Sequence, residues 1–214
     1  MTAFLTVDAQ TATARSPMAA IALSAGARFE RRGRWSVAVA FADPQTERDR
    51  LQRTVGFVDR SPIRKLELRG VPSSERGAAG GHPGAQPGHA TLDGEGAWWC
   101  PVTPQRTLVL GGDAPAPAGA VDLTCAHACL ELIGPGANEL LARFCAIDVR
   151  SRAMPIGAFR PGSVARTPGY VLRSGTSSLL VLVGWALGEY LWRVVADAAA
   201  HLGGGPVGED VLDA

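Results

Sequence analysis

Val55-Gly56-Phe57-Val58-Asp59-Arg60-Ser61 leads into Leu66-Glu67-Leu68-Arg69-Gly70, and the same phrase returns as Asp122-Leu123-Thr124 leading into Leu130-Glu131-Leu132-Ile133-Gly134. In each copy an Asp stands two residues ahead of a hydroxyl, the pattern in which a short polar side chain bonds the backbone of its own turn. An apolar run of strand length follows and closes on Gly. The copies differ by one residue in spacing. A turn, a strand and a terminating Gly that occur twice predict a duplicated α+β module, with lobes at about 16–110 and 120–210.

Upstream of the first copy, residues 1–15 are rich in Thr and Ala and predict a flexible leader. Ser16-Pro17 offers an N-cap oxygen and a first-turn Pro for a helix running to about Ser24 and stopped by Gly26. Residues 28–32 and 34–41 flank Gly33, and Trp35, Val37, Val39 and Phe41 alternate, which predicts a hairpin. Asp43-Pro44 starts a second helix, with Leu51 and Val55 on its buried face, Glu47, Arg48, Asp49 and Arg50 solvated, and Gly56 as its stop. Residues 57–58 and 63–68 read as strands.

Between the copies, residues 71–96 shift to Gly, Pro, Ser, Ala and His, and predict a mobile loop. Residues 97–102 and 106–110 read as strands joined around Pro104, followed by a breaker run at 111–119. In the second half, 121–133 reads as strand. Pro135 opens a helix that buries Leu140, Leu141, Phe144 and Cys145. Strands at 163–173 and 179–183 precede a last helix over 186–202, ended by Gly203.

The 214 residues are 46% hydrophobic and 19% charged, which excludes a disordered or collagen-like chain. With 21 basic against 20 acidic residues and no basic stripe, nucleic acid is not an expected partner. Lys65 is the one lysine, and the abundance of Arg beside Ala, Gly and Pro reflects coding bias rather than function. Residues 1–8 lack the basic start and apolar run of a secretory signal, so a cytoplasmic location is expected. Glu189, Arg193 and Asp197 interrupt the most apolar stretch, 179–200, which argues against a membrane span. Four cysteines in such a chain predict reduced thiols.

The pieces around the repeat resemble the folate-binding domain of the glycine cleavage T-protein, an aminomethyltransferase. Ser16-Pro17, Gly26-Ala27-Arg28-Phe29, Trp35, Glu47 and both phrases quoted first carry the likeness. From Trp98-Trp99-Cys100-Pro101 through Gly134-Pro135-Gly136-Ala137 and Leu140-Leu141 to Tyr190-Leu191-Trp192, the chain is more similar still to the gamma subunit of heterotetrameric sarcosine oxidase, of the same superfamily. The likeness spans about 16–210 and rests on short motifs. It implies a duplicated two-lobed α+β fold of antiparallel sheets flanked by helices, over 16–214, and a place in folate-linked one-carbon metabolism. The family motif Arg-Thr-Gly-Tyr-Thr-Gly-Glu is met as Arg166-Thr167-Pro168-Gly169-Tyr170-Val171-Leu172-Arg173, with one inserted Pro. It implies Arg166 and Tyr170 as residues that hold tetrahydrofolate.

The departures weigh against catalysis. In the enzyme, the strand after an Asn-x-x-Gly hairpin carries a carboxylate for the folate amine. The matching stretch, residues 94–101, has no Asp, and Glu95 is its one candidate substitute. Arg173 replaces the pterin-binding Glu, and a guanidinium can only donate where the pterin needs an acceptor. The family's C-terminal barrel domain is not expected beyond about residue 208, so a folate pocket would need a wall from another subunit.

The resemblance therefore implies first an accessory, non-catalytic gamma-type subunit beside flavoprotein subunits. Second comes a shortened tetrahydrofolate-dependent aminomethyltransferase. A folate-dependent iron-sulfur assembly scaffold ranks last, because its motif places Cys before the Tyr where Gly169 stands.

No complete catalytic site is legible. Cys125, His127 and Cys129 alternate on one expected strand face, but four residues of strand span about 13 Å, too far for one tetrahedral metal. His82 and His89 fall in the Gly/Pro loop as solvated side chains. Trp98, Trp99, Trp185 and Trp192 read as core or interface aromatics.

Overall fold

A computed structural model describes residues 12–70 and 86–212. Its elements are β1 (Ala14–Arg15), α1 (Ala19–Ser24), β2 (Arg28–Arg32), β3 (Trp35–Ala40), α2 (Pro44–Arg53), β4 (Gly56–Asp59) and β5 (Lys65–Arg69). After the undescribed residues come β6 (Thr91–Leu92), β7 (Ala97–Thr103), β8 (Arg106–Gly111), β9 (Val121–Asp122) and β10 (His127–Ile133). The chain continues with α3 (Ala137–Ala142), β11 (Phe159–Val164), β12 (Thr167–Gly175), β13 (Ser178–Gly184), α4 (Gly188–Ala200) and β14 (Gly205–Pro206).

The duplication is built by exchange. In the six-stranded sheet β11-β12-β13-β10-β4-β14, strand β4 of the first copy lies beside β10 of the second. In the five-stranded sheet β6-β7-β8-β5-β9, strand β9 of the second copy lies beside β5 of the first. The registers correspond: Asp59 sits opposite Leu130, and Asp122 opposite Leu66. Pairing is antiparallel except where β1 meets β3 and β14 meets β4.

One core of Phe57, Leu130, Leu132, Val181 and Val183 is covered by α1, α3 and α4 through Ala22, Leu140, Leu141, Leu191, Trp192 and Val195. A second core of Cys100, Leu108, Leu110, Phe159, Leu172, Leu180 and Leu182 packs residues of the five-stranded sheet against those of the six-stranded one. Both arise from strands whose apolar residues recur with period two, which puts every second side chain on the same face.

Several expectations are met with shifted detail. The hairpin turns at Gly33, whose φ of 58° is left-handed, and Asp43 caps α2 by accepting the amides of Gln45 and Thr46. The first helix starts at Ala19 rather than after Ser16, although Ser16 Oγ does accept the amide of Met18. The third starts at Ala137, two residues beyond Pro135.

Other readings are corrected. Residues 14–15 of the expected leader pair with β3, while 1–11 lie outside the described residues. Residues 86–96 of the expected loop are fastened at both ends: the amide of Ala90 donates to Gly157 O at 2.6 Å, and β6 pairs with β7. Residues 71–85 lie outside the described residues. The run 121–133 is broken by a 3₁₀ turn at Thr124–Ala126, because the chain must cross from one sheet to the other there. The single strand read at 163–173 is the greater part of a hairpin, β11 and β12, turning at Ala165 and Arg166, both at positive φ.

Glu47, expected in water, is 2% exposed. Its carboxylate accepts the amides of Phe41 and Ala42 and, through its other oxygen, the amide of Gly208. The C-terminal segment that supplies Gly208 packs on β3 and covers the helix face that sequence periodicity had left polar.

Candidate functional site

Strand β12 places Tyr170 between Pro161 of β11 and Leu182 of β13. A Cβ on neighbouring Gly169 would lie 2.5 Å from Leu182 O, so the close approach of these strands requires glycine at that motif position. The Tyr170 ring stacks on Phe159 at 5.4 Å between centroids and 11° between planes, and the His127 ring lies 5.9 Å away. Together with Pro161, Pro168, Gly169 and Leu187, Tyr170 and His127 line a concavity of about 400 Å³.

Polar groups from the other sheet reach Tyr170 from β5 and β8. Arg106 lies within electrostatic reach of Tyr170 and is itself paired with Glu67, which also binds Arg69. Burial alone would raise the Glu67 carboxyl, but the hydrogen bonds from Arg106 and Arg69 outweigh it and hold the pKa below the ordinary carboxylate value. His127 is also moved down, for a different reason: burial, then the positive charge of Lys65, lowers its pKa and keeps the imidazole neutral. Its Nδ1 is buried without a hydrogen-bond partner. The wall therefore offers a phenol beside a cation and a neutral imidazole, groups that can orient a flat ligand and exchange hydrogen bonds with it.

The two expected folate residues are not brought together. Tyr170 lines the concavity, whereas Arg166 stands exposed at the β11–β12 turn with φ 63°. Four residues of strand, about 13 Å, separate them. Arg173 points to the face opposite Tyr170, where it is 2% exposed and donates to Met154 O, Val149 O, Thr176 O and Asn138 Oδ1. It fastens the segment after α3 and does not face the concavity.

In residues 94–101, Asp93 just ahead anchors the hairpin by accepting the amides of Glu95 and Ala97 and the indole of Trp99. Glu95 is exposed at the tip. Cys100 is fully buried in the core that Tyr170 borders, and burial pushes its thiol well above the ordinary range.

Cys125, His127 and Cys129 do not share a strand face, since Cys125 lies in the 3₁₀ turn and is exposed while Cys129 is buried. Among the described residues no cluster of three His, Cys, Asp or Glu could hold a metal. His89 is exposed and its backbone bridges to Ala158, and His82 lies outside the described residues.

No protein-family model matches the chain, and no curated protein matches it. Solved structures do. One is the heterotetrameric sarcosine oxidase from Corynebacterium sp. U-96 in complex with pyrrole 2-carboxylate: TM-score 0.66 and 22% identity over 88% of this chain and 96% of that one. Another is the glycine cleavage system aminomethyltransferase T from Bartonella henselae: TM-score 0.74 and 14% identity over 94% of this chain. The chain has the aminomethyltransferase T fold.

It spans 61% of the length of that aminomethyltransferase and nearly all of the sarcosine oxidase chain. On this fold, sequence reasoning missed Arg106, Glu67 and His127. A signal for Glu67 was present: Glu67 and Glu131 are the one acidic residue within each repeated strand. Arg106 shares a strand face with Leu108 and Leu110, but its Tyr170 partner is on another sheet, which no local pattern encodes.

Proposed function

We propose that the chain is an accessory, non-catalytic subunit of a sarcosine-oxidase-like hetero-oligomer in folate-linked one-carbon metabolism, seated in the cytoplasm beside flavoprotein subunits. The observation that carries this reading is the closed apolar seam beneath Tyr170. Cys100, Leu108, Phe159, Leu172 and Leu182 are wholly buried there, and Glu67, the carboxylate paired with Arg106 beside the phenol, is committed to two arginines. Among the described residues that line this wall, developing positive charge on a folate amine would meet no carboxylate. The length match to a chain of a heterotetrameric enzyme supports the same reading.

A second reading, a shortened tetrahydrofolate-dependent aminomethyltransferase, is favoured by the Tyr170–His127 concavity, with Tyr170 stacking on the pterin and Arg166 reaching it from the turn. No described helix is long and apolar enough to cross a membrane, which is compatible with both.

Calorimetric titration with tetrahydrofolate separates them. The accessory reading expects no saturable binding to the isolated chain, and stoichiometric co-purification with co-expressed flavoprotein subunits. Micromolar binding, about 8 kcal/mol, abolished by Tyr170→Ala would overturn it in favour of the second.

A further inference from the structure

A groove of about 480 Å³ lies between α1 and the three-stranded sheet β1-β3-β2, and shares no residue with the Tyr170 concavity. Small-ligand sites have volumes of about 300–1,000 Å³. The wall of this one is polar on one side and apolar on the other.

Strand register sets the polar side. Arg15 of β1 is paired with Ser36 of β3, and residues paired across neighbouring strands leave by the same face, so a guanidinium and a hydroxyl stand side by side. Both line the groove. Neither side chain has a hydrogen bond or ion pair among the described residues, and none of the described residues in the wall is acidic. Ser16, also in the wall, is already engaged, its Oγ accepting the Met18 amide at 3.0 Å. A guanidinium has donors and no acceptor, so the group that completes this side is an anion.

Ala20 and Leu23 of α1 and Phe29 of β2 form the apolar side. Leu23 is 64% exposed, more than any other large apolar side chain among the described residues. Ile21 and Ala22 turn to the core, and Leu23, about 100° further round the helix, is left outside it. Covering such a side chain is favourable in proportion to the apolar area removed from water. We propose that this groove binds an aliphatic carboxylate, its head held by Arg15 and Ser36 and its chain laid over Leu23 and Phe29. The site stands independently of the reading of the chain as a subunit.

Titration calorimetry of the full chain compares octanoate with octanamide, its neutral analogue, and with butyrate, the shorter acid. Octanoate is expected to saturate a single site and to bind at least about tenfold more tightly than either. Arg15→Gln should weaken octanoate about tenfold, the size of one charge-assisted contact, and leave octanamide unchanged. Arg15→Lys keeps the charge and loses the fork, so an intermediate affinity is expected. Leu23→Ser should weaken octanoate and octanamide alike. Both positions are exposed, so the variants are expected to fold.

Equal affinity for octanoate and octanamide, indifferent to Arg15→Gln, overturns the anionic head. Equal affinity for octanoate and butyrate, indifferent to Leu23→Ser, overturns the aliphatic chain. Octanoate heats that do not saturate overturn the site.

Discussion

The hydroxyl of Ser61 accepts the backbone amide of Cys129 at 3.1 Å, across 68 residues of chain. Its counterpart in the other copy, Thr124, accepts the amide of Lys65 at the same distance. The carbonyls obey the same exchange, Arg60 N donating to Cys129 O and Leu123 N to Lys65 O. Each Asp holds its hydroxyl residue in place, Asp59 through the amide of Ser61 and Asp122 through that of Thr124. Each repeated turn thus starts the strand of the other copy.

Ser61→Ala removes an acceptor at a fully buried position and strands the Cys129 amide in the core. The expected loss is about 1–3 kcal/mol, read from the denaturant midpoint. Thr124→Val should cost less, since Thr124 is half-buried and water can reach the freed amide of Lys65.

Lys65 sits at the same junction, fully buried, its Nζ donating to Ser61 O at 2.8 Å, Ile63 O at 3.0 Å and Thr124 O at 3.4 Å. Lys65→Met leaves these carbonyls without their donor and should destabilise the fold by about 1–3 kcal/mol at neutral pH. Burial holds the lysine pKa below its ordinary 10.5. Between the folded value and 10.5 the unfolded chain therefore binds the proton more readily, so stability from this group rises with pH across that window. The gap between wild type and Lys65→Met should widen as pH climbs through it, as followed by chemical unfolding.

Glu67→Gln addresses the acid limb. The carboxyl is held below its ordinary 4.5 by its arginines against the opposing effect of burial. Its stabilising effect is thus present above 4.5 and lost as pH falls through the folded value. The variant should lose about 2 kcal/mol at neutral pH, a modest figure for a buried carboxylate because Arg69 and Arg106 both reach solvent. It should also show a flatter stability profile in acid.

Gly208→Ala tests the C-terminal segment. A Cβ there would fall 1.9 Å from Val39 O, and no side-chain movement relieves a clash with backbone. The segment must lift, Glu47 loses the Gly208 amide, and thermal unfolding should report a loss above about 3 kcal/mol.

The repeat, the hairpin at Gly33, the Asp43 cap and the last helix were legible in the sequence because each depends on neighbours in the chain: a turn residue, a cap, a period of two or of 3.6. The 3₁₀ break at Thr124–Ala126 was not, since it reflects the passage between two sheets and not any breaker residue. Glu47 misled for a related reason. Its polar pattern is that of a solvated helix face, and its burial comes from a segment about 160 residues downstream, as the Gly208 contact attests.

Sequence alone determined that the chain is a duplicated α+β module, because an Asp with a hydroxyl two residues on and a strand closed by Gly are local instructions that can be read twice. Tertiary structure alone decided what those copies do to each other. It paired Ser61 with Cys129 and Thr124 with Lys65, turned Arg173 away from Tyr170, and brought Arg106 and Glu67 to Tyr170 from the other sheet. Those outcomes depend on which sheet face a side chain leaves by and on what lies across the seam, quantities set by long-range pairing and close packing and not by any short window of residues.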